Sequence, residues 1–537
     1  MSLTSSHSPK LSLSGSYTSS LRLTKSEAQN IRHVRHSSLP KGLINSLNET
    51  TPLKVSEVNN VKEGSAEETG PDKPHELSLT LITTILVVTI GSSLQFGYGT
   101  GVMNNSQDII MEYFHNQGKE YTVVQWSTTV SCYGIGGLMG SLLGPKVIGS
   151  HCGRRATLIV NNIFLVISSI LISFAPQWWY QAIGRIFVGI VAGIATAVVP
   201  TYFSEISPIE IRGAIGTMHQ LGITVGILVS QVLSTPSLHL LGSQDCWKWL
   251  FAVPVVCGML EVIVLPFCPE SPSYLYTTQG KAAARRALVR LQSEAVADEY
   301  LGYIQEETQS STRDKGNISI IDLVRDRTLR KQLIVGITVQ LMMQFSGIDA
   351  VFYYSTSVFK QAGVPDPALA TTCLGIINVI VTIFAVRSMD SAGRKTLLTY
   401  SWYGMSTSFV LLTGSFILKD HGVAYMDQLS ILATTGVIIF FAFGPGCVAW
   451  FIIAEIIPLY ARDSAMALGI FVNWVANWLV AFSFPILMKH TQPYTFLIFV
   501  CTTTYFLYFT KRFVPETKGL TVSQLAAEFD AMPLYDC

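Results

Sequence analysis

Charged residues are scarce in this chain of 537 residues. Lysine and arginine together number 36 and aspartate and glutamate 35, so that 13% of the residues are charged, against roughly 25% in an average soluble protein. Hydrophobic residues make up 49%. This composition excludes collagen, an intrinsically disordered chain and a disulfide scaffold. It indicates a protein that lies in lipid.

Several signals of chemistry are also missing. The nine cysteines form no CxxC pair, and no cluster of histidine and cysteine has metal-ligand spacing. The net charge of +1 gives no sign of the excess positive charge that nucleic-acid-binding proteins carry. Neither a GxxxxGK(S/T) phosphate loop nor a nucleophile with its base is present. We therefore predict no disulfide, no metal, no cofactor, no nucleic-acid partner and no enzymatic activity.

Apolar runs of about 20 residues, long enough to cross ~30 Å of hydrocarbon as a helix, recur after residue 77. Their length excludes the strands of a barrel, so the fold class predicted is an all-α membrane protein with two six-helix bundles. The twelve predicted spans are 78–103, 123–147, 156–175, 180–203, 213–234, 248–268, 331–357, 369–388, 396–418, 429–454, 464–487 and 491–510.

Polar segments divide the chain around these spans. Residues 1–75 are rich in serine and lack the apolar core of a signal peptide, which predicts a disordered cytoplasmic tail. Residues 271–330 are the one long polar break between spans and predict short amphipathic helices. The predicted domains are thus 1–75, a bundle at 76–270, the intracellular segment 271–330, a bundle at 331–513 and a cytoplasmic tail at 514–537.

Basic residues follow the even-numbered spans, as Arg154 and Arg155 follow the second and Arg394 follows the eighth. Cytoplasmic loops are the basic ones. Both termini and segment 271–330 are therefore predicted to be cytoplasmic, and we expect no glycan at Asn48 or Asn317.

Three motifs occur twice, about 240–250 residues apart. They are HCGRR (151–155) with SAGRK (391–395), SEISPIEIR (204–212) with AEIIPLYAR (454–462), and PESP (269–272) with PETK (515–518). A six-plus-six repeat is typical of a secondary transporter whose site lies between the halves, near the bilayer midplane. Glu205 with Arg212, and Glu455 with Arg462, are candidate gate pairs at the cytoplasmic ends of spans four and ten. The alternative is that these charges only set the topology.

Amide and indole side chains lie inside several spans, where a polar group is costly unless it is paired or faces a cavity. Amides donate and accept hydrogen bonds at once, and indole offers an apolar face with one N–H, which together suit a ligand made of hydroxyl groups. The alternative is that the amides hold helices together. Asp349 is a functional candidate because it is an acid deep in span seven.

The chain resembles the sugar porter family of the major facilitator superfamily, and within it the animal facilitative glucose transporters. The resemblance covers about 78–520 and is carried by LQFGYGTGV, PTYFSEISPIEIRGAIGTMHQLGITVGIL, PESPSYL, QFSGIDAVFYYSTSVF, GPGCVAWFIIAEI, NWVANW and VPETKG. It implies a hexose site at Gln220, Gln344, Asn378, Trp450, Asn473 and Trp474, to which we add Asp349. It implies an outer gate at Tyr353 and Tyr354, and a cytoplasmic gate at Arg154, Arg155, Glu205, Arg212, Arg394, Glu455 and Arg462.

The chain departs from the family pattern at two places in this site. Met343 replaces a glutamine and Asp349 replaces an asparagine, so the resemblance leaves open which hexose is preferred and with what affinity. Fructose-preferring members of the family tend to lack a tryptophan at the position of Trp450, so the resemblance favours glucose as the substrate. Proton-driven sugar porters carry an acid where this chain has Gly99, which disfavours obligatory proton coupling.

The leading hypothesis is a plasma-membrane uniporter in which D-glucose is carried through the lipid bilayer by alternating access. One alternative is a proton-coupled sugar symporter that uses Asp349. Another is a transporter-like sugar receptor that signals through its N-terminal tail, with kinases or other regulatory partners of that tail.

Overall fold

The computed structural model describes residues 78–144, 152–208, 211–292, 294–313, 318–518, 520 and 522–531 of the chain, and every regular element within them is a helix. The predicted tail at 1–75 lies outside these residues, as do Asn48 and Asn317. The predictions that fall on them, the sugar receptor among them, stay predictions.

Twelve helical spans occupy the described residues in the predicted order. They are Leu79–Asn116, Val123–Leu143, Arg154–Ser173, Trp178–Ile206, Arg212–Ser234, Trp247–Phe267, Arg330–Ala362, Pro367–Ser391, Arg394–Asp420, Met426–Phe443 with Pro445–Ile456, Leu459–Thr491, and Thr495–Phe513. Below, spans one to six are called the first half and spans seven to twelve the second half.

Nine helical stretches in the described part of the chain are long and apolar enough to cross a membrane by length and composition alone. One of them, Tyr460–Phe513, contains both of the last two spans. Spans two and nine are helical but fall outside the nine. Glycine, serine and threonine lower the mean hydropathy of these two spans. The same small residues let neighbouring helices approach closely.

Span one is longer than predicted. The apolar run suggested an end near 103, but the helix continues to Asn116, with one π-helical turn at Thr89–Ser93. The polar residues past 103 do not end the helix because their side chains are satisfied by other spans; Asn104, for example, donates to Ser355 of span seven at 2.8 Å.

Span seven is broken at Gly347. The helix Arg330–Phe345 ends there and Ile348–Ala362 begins, with Gly347 at a φ of 87°. A Cβ at this position would lie 2.7 Å from the Phe499 ring and 2.9 Å from the Phe409 ring. Only glycine combines this left-handed backbone with such a close approach. The break places Gln344 and Asp349 on either side of an unwound turn.

Span ten is broken at Gly444 and Pro445. Met426–Phe443 ends before Gly444, and Pro445 begins the helix that runs to Ile456. Proline has no N–H to donate to the preceding turn, so the backbone ladder is interrupted. Discontinuous spans of this kind surround the substrate sites of secondary transporters, where unwound backbone lies beside a cavity.

Short helices lie between spans six and seven, as the sequence predicts: Pro272–Gln279, Lys281–Leu291, Glu294–Arg313 and Ile320–Arg325. Leu288 and Leu291 of the second are fully buried. Arg285 donates to both carboxylate oxygens of Asp298, at 2.7 and 2.9 Å. These hydrogen bonds lower the pKa of the Asp298 carboxyl below its ordinary value.

Substituting Gly347→Ala tests the break in span seven. We expect the free energy of unfolding to fall by about 2 kcal/mol or more, because alanine would meet both a left-handed backbone and two aromatic rings. The measurement is the Tm of the detergent-solubilised protein. Gly414→Ala in span nine is the control, since a Cβ there meets nothing within 4 Å and alanine favours a helix by about 1 kcal/mol. Equal Tm values for the two variants would contradict this account.

Candidate functional site

A cavity lies between the two halves. Spans one and five of the first half and spans seven, eight, ten and eleven of the second line it. Both broken spans meet it, since Gln344, Asp349 and Trp450 are among its lining residues.

The cavity brings together all seven residues predicted to bind substrate. Gln220, Gln344, Asp349, Asn378, Trp450, Asn473 and Trp474 all line it. Their spacing in the sequence gives no hint of this proximity, because they come from five different spans. Their part in binding itself stays a prediction.

Several polar atoms in the cavity wall are buried and have no hydrogen-bond partner within the described residues. The donors are Asn378 Nδ2, Trp450 Nε1 and Trp474 Nε1, and the acceptors are Gln344 Oε1 and Asn477 Oδ1. A buried polar group without a partner costs about 1–3 kcal/mol. A ligand whose groups both donate and accept relieves that cost, and hydroxyl groups do both.

Asn473 differs from the other predicted residues because its amide is already saturated. Its Nδ2 donates to Gln340 Oε1 at 3.0 Å, and its Oδ1 accepts from Gln344 Nε2 at 2.8 Å. Gln340 in turn donates to the Ala449 carbonyl of span ten at 2.7 Å. These contacts tie spans seven, ten and eleven together, which is the structural alternative raised above for buried amides.

Asn477 is a cavity residue that the sequence prediction left out of the site. Its Nδ2 donates to Asp349 Oδ2 at 2.8 Å and to Tyr353 OH at 3.3 Å. The signal was present in the sequence, since Asn477 follows Asn473 by four residues and therefore lies on the same face of span eleven. Thr100, Thr224 and Thr382 also line the cavity and were not predicted.

Trp474 fixes the contact between the halves beside the cavity. Its ring packs against Gly137 of span two, where a Cβ would overlap it. The rings of Phe96 and Tyr133 from the first half lie 5.8 and 5.6 Å from it, centroid to centroid. The indole is therefore held by the first half although it belongs to the second.

On one side of the cavity, neutral side chains join the halves. Asn104 donates to Ser355 at 2.8 Å and Thr356 Oγ1 donates to Asn105 Oδ1 at 2.6 Å, while Thr235 Oγ1 lies 2.6 Å from Thr372 Oγ1 of span eight. The exposed ion pair between Asp108 of span one and Lys360 of span seven, at 2.7 Å, also joins the halves on this side. We call Asn104, Asn105, Thr235, Ser355 and Thr356 the neutral latch. The sequence did not indicate this latch, because hydroxyl and amide groups near a helix end look like the start of a loop.

The two tyrosines predicted as an outer gate have different surroundings. Tyr353 lines the cavity, and its ring meets Tyr133 of the first half edge-on at 6.5 Å. Tyr354 is not in the cavity wall; its OH donates to the Ala481 carbonyl of span eleven at 2.9 Å, within the second half. Gating by either residue stays a prediction.

On the other side, the side of the basic loops, the repeated motifs form matching ion pairs. Arg154 pairs with Glu205 at 2.9 Å and Arg394 with Glu455 at 2.8 Å. Each pair joins two adjacent spans of the same half. The sequence placed each glutamate with the arginine seven residues later, whereas the structure brings it to the arginine of the Gly-basic-basic motif.

Two glutamates that the prediction omitted complete these clusters. Glu270 of PESP accepts from the backbone N–H groups of Arg154 and Arg155, at 3.0 and 3.1 Å. Glu516 of PETK accepts from the N–H of Arg394 at 2.6 Å. A carboxylate at a helix N-terminus satisfies free N–H groups and the positive end of the helix dipole. Conversely, Arg155 donates from Nη1 to the Cys268 carbonyl at 2.8 Å, at the end of span six.

The remaining predicted gate residues are Arg212 and Arg462. Arg212 begins span five, and its side chain lies outside the described part of the structure. Arg462 is half-buried near the start of span eleven. Nothing in their placement tests a gating role.

Comparison with known proteins gives consistent matches over most of the chain. The family model described as "Sugar (and other) transporter" matches residues 84–529. Facilitated glucose transporter member 4 of solute carrier family 2, from Homo sapiens, is 36% identical over 483 residues, which cover 87% of this chain and 94% of that protein. Member 1 from Gallus gallus is 34% identical over 466 residues, covering 83% and 94%.

Among solved structures, the xylose transporter XylE from E. coli in a partially occluded inward-open conformation matches with a TM-score of 0.70. It is 24% identical and covers 82% of this chain and 99% of its own. The proton:xylose symporter XylE bound to 6-bromo-6-deoxy-D-glucose matches with a TM-score of 0.69 and 25% identity, covering 84% and 99%. These matches confirm the predicted all-helical membrane protein with the major facilitator fold.

The hydrogen bonds of Asn473 and Asn378 predict different effects on stability and on sugar binding when each side chain is truncated to alanine. Asn473→Ala leaves Gln340 Oε1 and Gln344 Nε2 without their partners, so we expect the free energy of unfolding to fall by about 1–3 kcal/mol. Asn378→Ala removes an Nδ2 that has no partner in the described residues, so we expect the Tm to stay unchanged while sugar affinity falls. Thermal unfolding with and without glucose separates the two. A larger loss of Tm in Asn378→Ala than in Asn473→Ala would contradict these assignments.

Proposed function

The chain belongs to the sugar transporter family, and we propose that it carries a hexose, with D-glucose as its first candidate, by uniport. Family membership confirms a transporter rather than an enzyme. The observation that supports a hexose is the cavity between the halves, whose wall offers both donors and acceptors without partners in the described residues. Each hydroxyl group of a sugar can satisfy one donor and one acceptor.

Trp450 and Trp474 support a sugar rather than another polyhydroxy compound. Both indoles line the cavity, and the Nε1 of each has no hydrogen-bond partner in the described residues. An indole ring offers a flat apolar face for the C–H groups of a pyranose while its N–H donates to a hydroxyl. The amides of Gln220 and Asn378 stand on other spans around the same space.

Transport by alternating access is supported by the different bonding on the two sides. The neutral latch joins the halves on one side, whereas each motif ion pair on the other side stays within one half. The halves can then rock about the cavity as two bodies, with the latch broken on opening. We propose the plasma membrane as its location, and the basic loops favour both termini and the connecting helices in the cytoplasm, so the latched side is the outer one.

Proton-coupled symport is the second candidate, because the Asp349 carboxylate lines the cavity. The position in span one where proton-driven sugar porters carry an acid is Gly99, and Arg185 of span four donates to the Gly99 carbonyl at 2.6 Å. With no acid side chain at Gly99, uniport is the simpler account.

Counterflow in proteoliposomes tests the proposed function. Vesicles preloaded with unlabelled glucose, galactose or fructose should take up labelled D-glucose transiently, most strongly with glucose inside. A proton uncoupler should leave this exchange unchanged. Net uptake against a glucose gradient that collapses with the uncoupler would establish symport instead, and no exchange with any of the three hexoses would reject the proposal.

Substitutions in the cavity wall test where the sugar binds. We expect Trp450→Leu and Gln220→Leu each to weaken glucose binding by about tenfold, since each removes a hydrogen-bonding group worth about 1–2 kcal/mol. Binding can be measured by quenching of tryptophan fluorescence or by calorimetry. Trp249→Leu is the control, because its side chain is 64% exposed and outside the cavity wall. Unchanged affinity in both cavity variants would place the site elsewhere.

A further inference from the structure

The central cavity contains a single acidic side chain. Asp349 is the one aspartate or glutamate among its described lining residues, and those residues include no lysine, arginine or histidine. Asp349 is 6% exposed. The cavity therefore has an acid that a neutral hexose does not need.

Asp349 is held in place by neutral groups. Asn477 Nδ2 donates to its Oδ2 at 2.8 Å, and the same Nδ2 reaches Tyr353 OH at 3.3 Å. Among the ion pairs of the described residues, none includes Asp349. A carboxylate in the membrane interior without a cation is expensive.

The buried cation and the buried histidine near the cavity are engaged elsewhere. The Arg185 guanidinium stacks over the Tyr133 ring at 4.6 Å, donates to the Gly99 carbonyl, and lines a separate cavity within the first half. His219 Nδ1 lies 2.8 Å from Ser93 Oγ. Tyr133 from span two and Tyr353 from span seven are the titratable side chains that interact electrostatically with Asp349. A cation that pairs with the Asp349 carboxyl would therefore have to come from the ligand.

The cavity wall also offers acceptors besides the Asp349 carboxyl. Gln344 Oε1 and Asn477 Oδ1 line the cavity and have no hydrogen-bond partner in the part of the chain that is described. With the Asp349 carboxylate they make three acceptors, which matches an alkylammonium group that has three donors and no acceptor. The indoles of Trp450 and Trp474 line the same cavity, and aromatic faces attract cations.

We propose that the substrate class of this cavity includes aminohexoses, with the ammonium group bound by Asp349, Asn477 and Gln344. This inference rests on the proposed function, because it uses the same site and the same carrier cycle. It adds charge selectivity: a sugar with one positive charge neutralises the cavity, whereas a neutral sugar leaves the carboxylate unpaired.

The test compares binding and uptake of 2-amino-2-deoxyglucose, 6-amino-6-deoxyglucose, N-acetylglucosamine and glucose in proteoliposomes, at a pH where the amines are protonated. We expect at least one amine to bind more tightly than glucose. Asp349→Asn should weaken that amine by roughly ten- to a hundredfold, the range expected for hydrogen bonds to a charged group, and should change glucose affinity by less than about threefold. N-acetylglucosamine, which has no charge, should bind the native protein and Asp349→Asn with similar affinity.

Glu261→Gln is the matched control. Glu261 is a second fully buried carboxylate, but it lies in span six outside the cavity wall, where it accepts from Ser92 at 2.7 Å and Asn162 at 3.0 Å. Removing its charge should leave the ratio of amine to glucose affinity unchanged.

Each remaining outcome decides the matter. If neither amine binds better than glucose, or if Asp349→Asn weakens amine and glucose equally, the proposal is wrong. If glucose uptake depends on pH in the native protein but not in Asp349→Asn, and no amine is preferred, a proton balances the charge instead. Normal glucose exchange without amine preference rejects this inference alone, whereas loss of all exchange rejects the proposed function.

Discussion

A polar group in the interior of a bilayer must find its partner in the protein or in a ligand, because lipid offers none. This constraint accounts for most of what distinguishes the chain. The Asn473 amide is satisfied by Gln340 and Gln344 and so acts as structure. Asn378 Nδ2 and Trp450 Nε1 find no partner among the described residues, and we propose that a ligand provides one. The same residue types thus serve two purposes, and only their neighbours separate them.

Much of the fold follows from the sequence because hydrophobic length and the positions of glycine and proline are local properties. The twelve spans and the connecting helices were predicted in this way. The end of span one was wrong, since Asn104 and Asn105 are stabilised by contacts with spans five and seven that no local pattern contains. Whether a buried polar side chain finds a hydrogen-bond partner depends on residues hundreds of positions away in the sequence.

The candidate site shows the same division. Residue type and family resemblance selected side chains that do meet in one cavity, yet they could not tell Asn473 from Asn477, which differ by one helical turn. For the predicted gate residues, the structure pairs Glu205 and Glu455 with the arginine that begins the span before. The two pairs match because both halves carry the same repeat, and a gating role stays a prediction.

The neutral latch consists of amide and hydroxyl groups, and its hydrogen bonds carry no net charge. When such bonds open to water, each group exchanges a protein partner for a solvent partner of similar strength, so the net change is about 1 kcal/mol per bond. Charged pairs would instead be screened by dissolved ions. The exposed ion pair of Asp108 and Lys360, at 2.7 Å, joins the same two spans and is the part of this closure that salt weakens. The neutral latch beside it keeps its strength in dilute and in concentrated electrolyte alike.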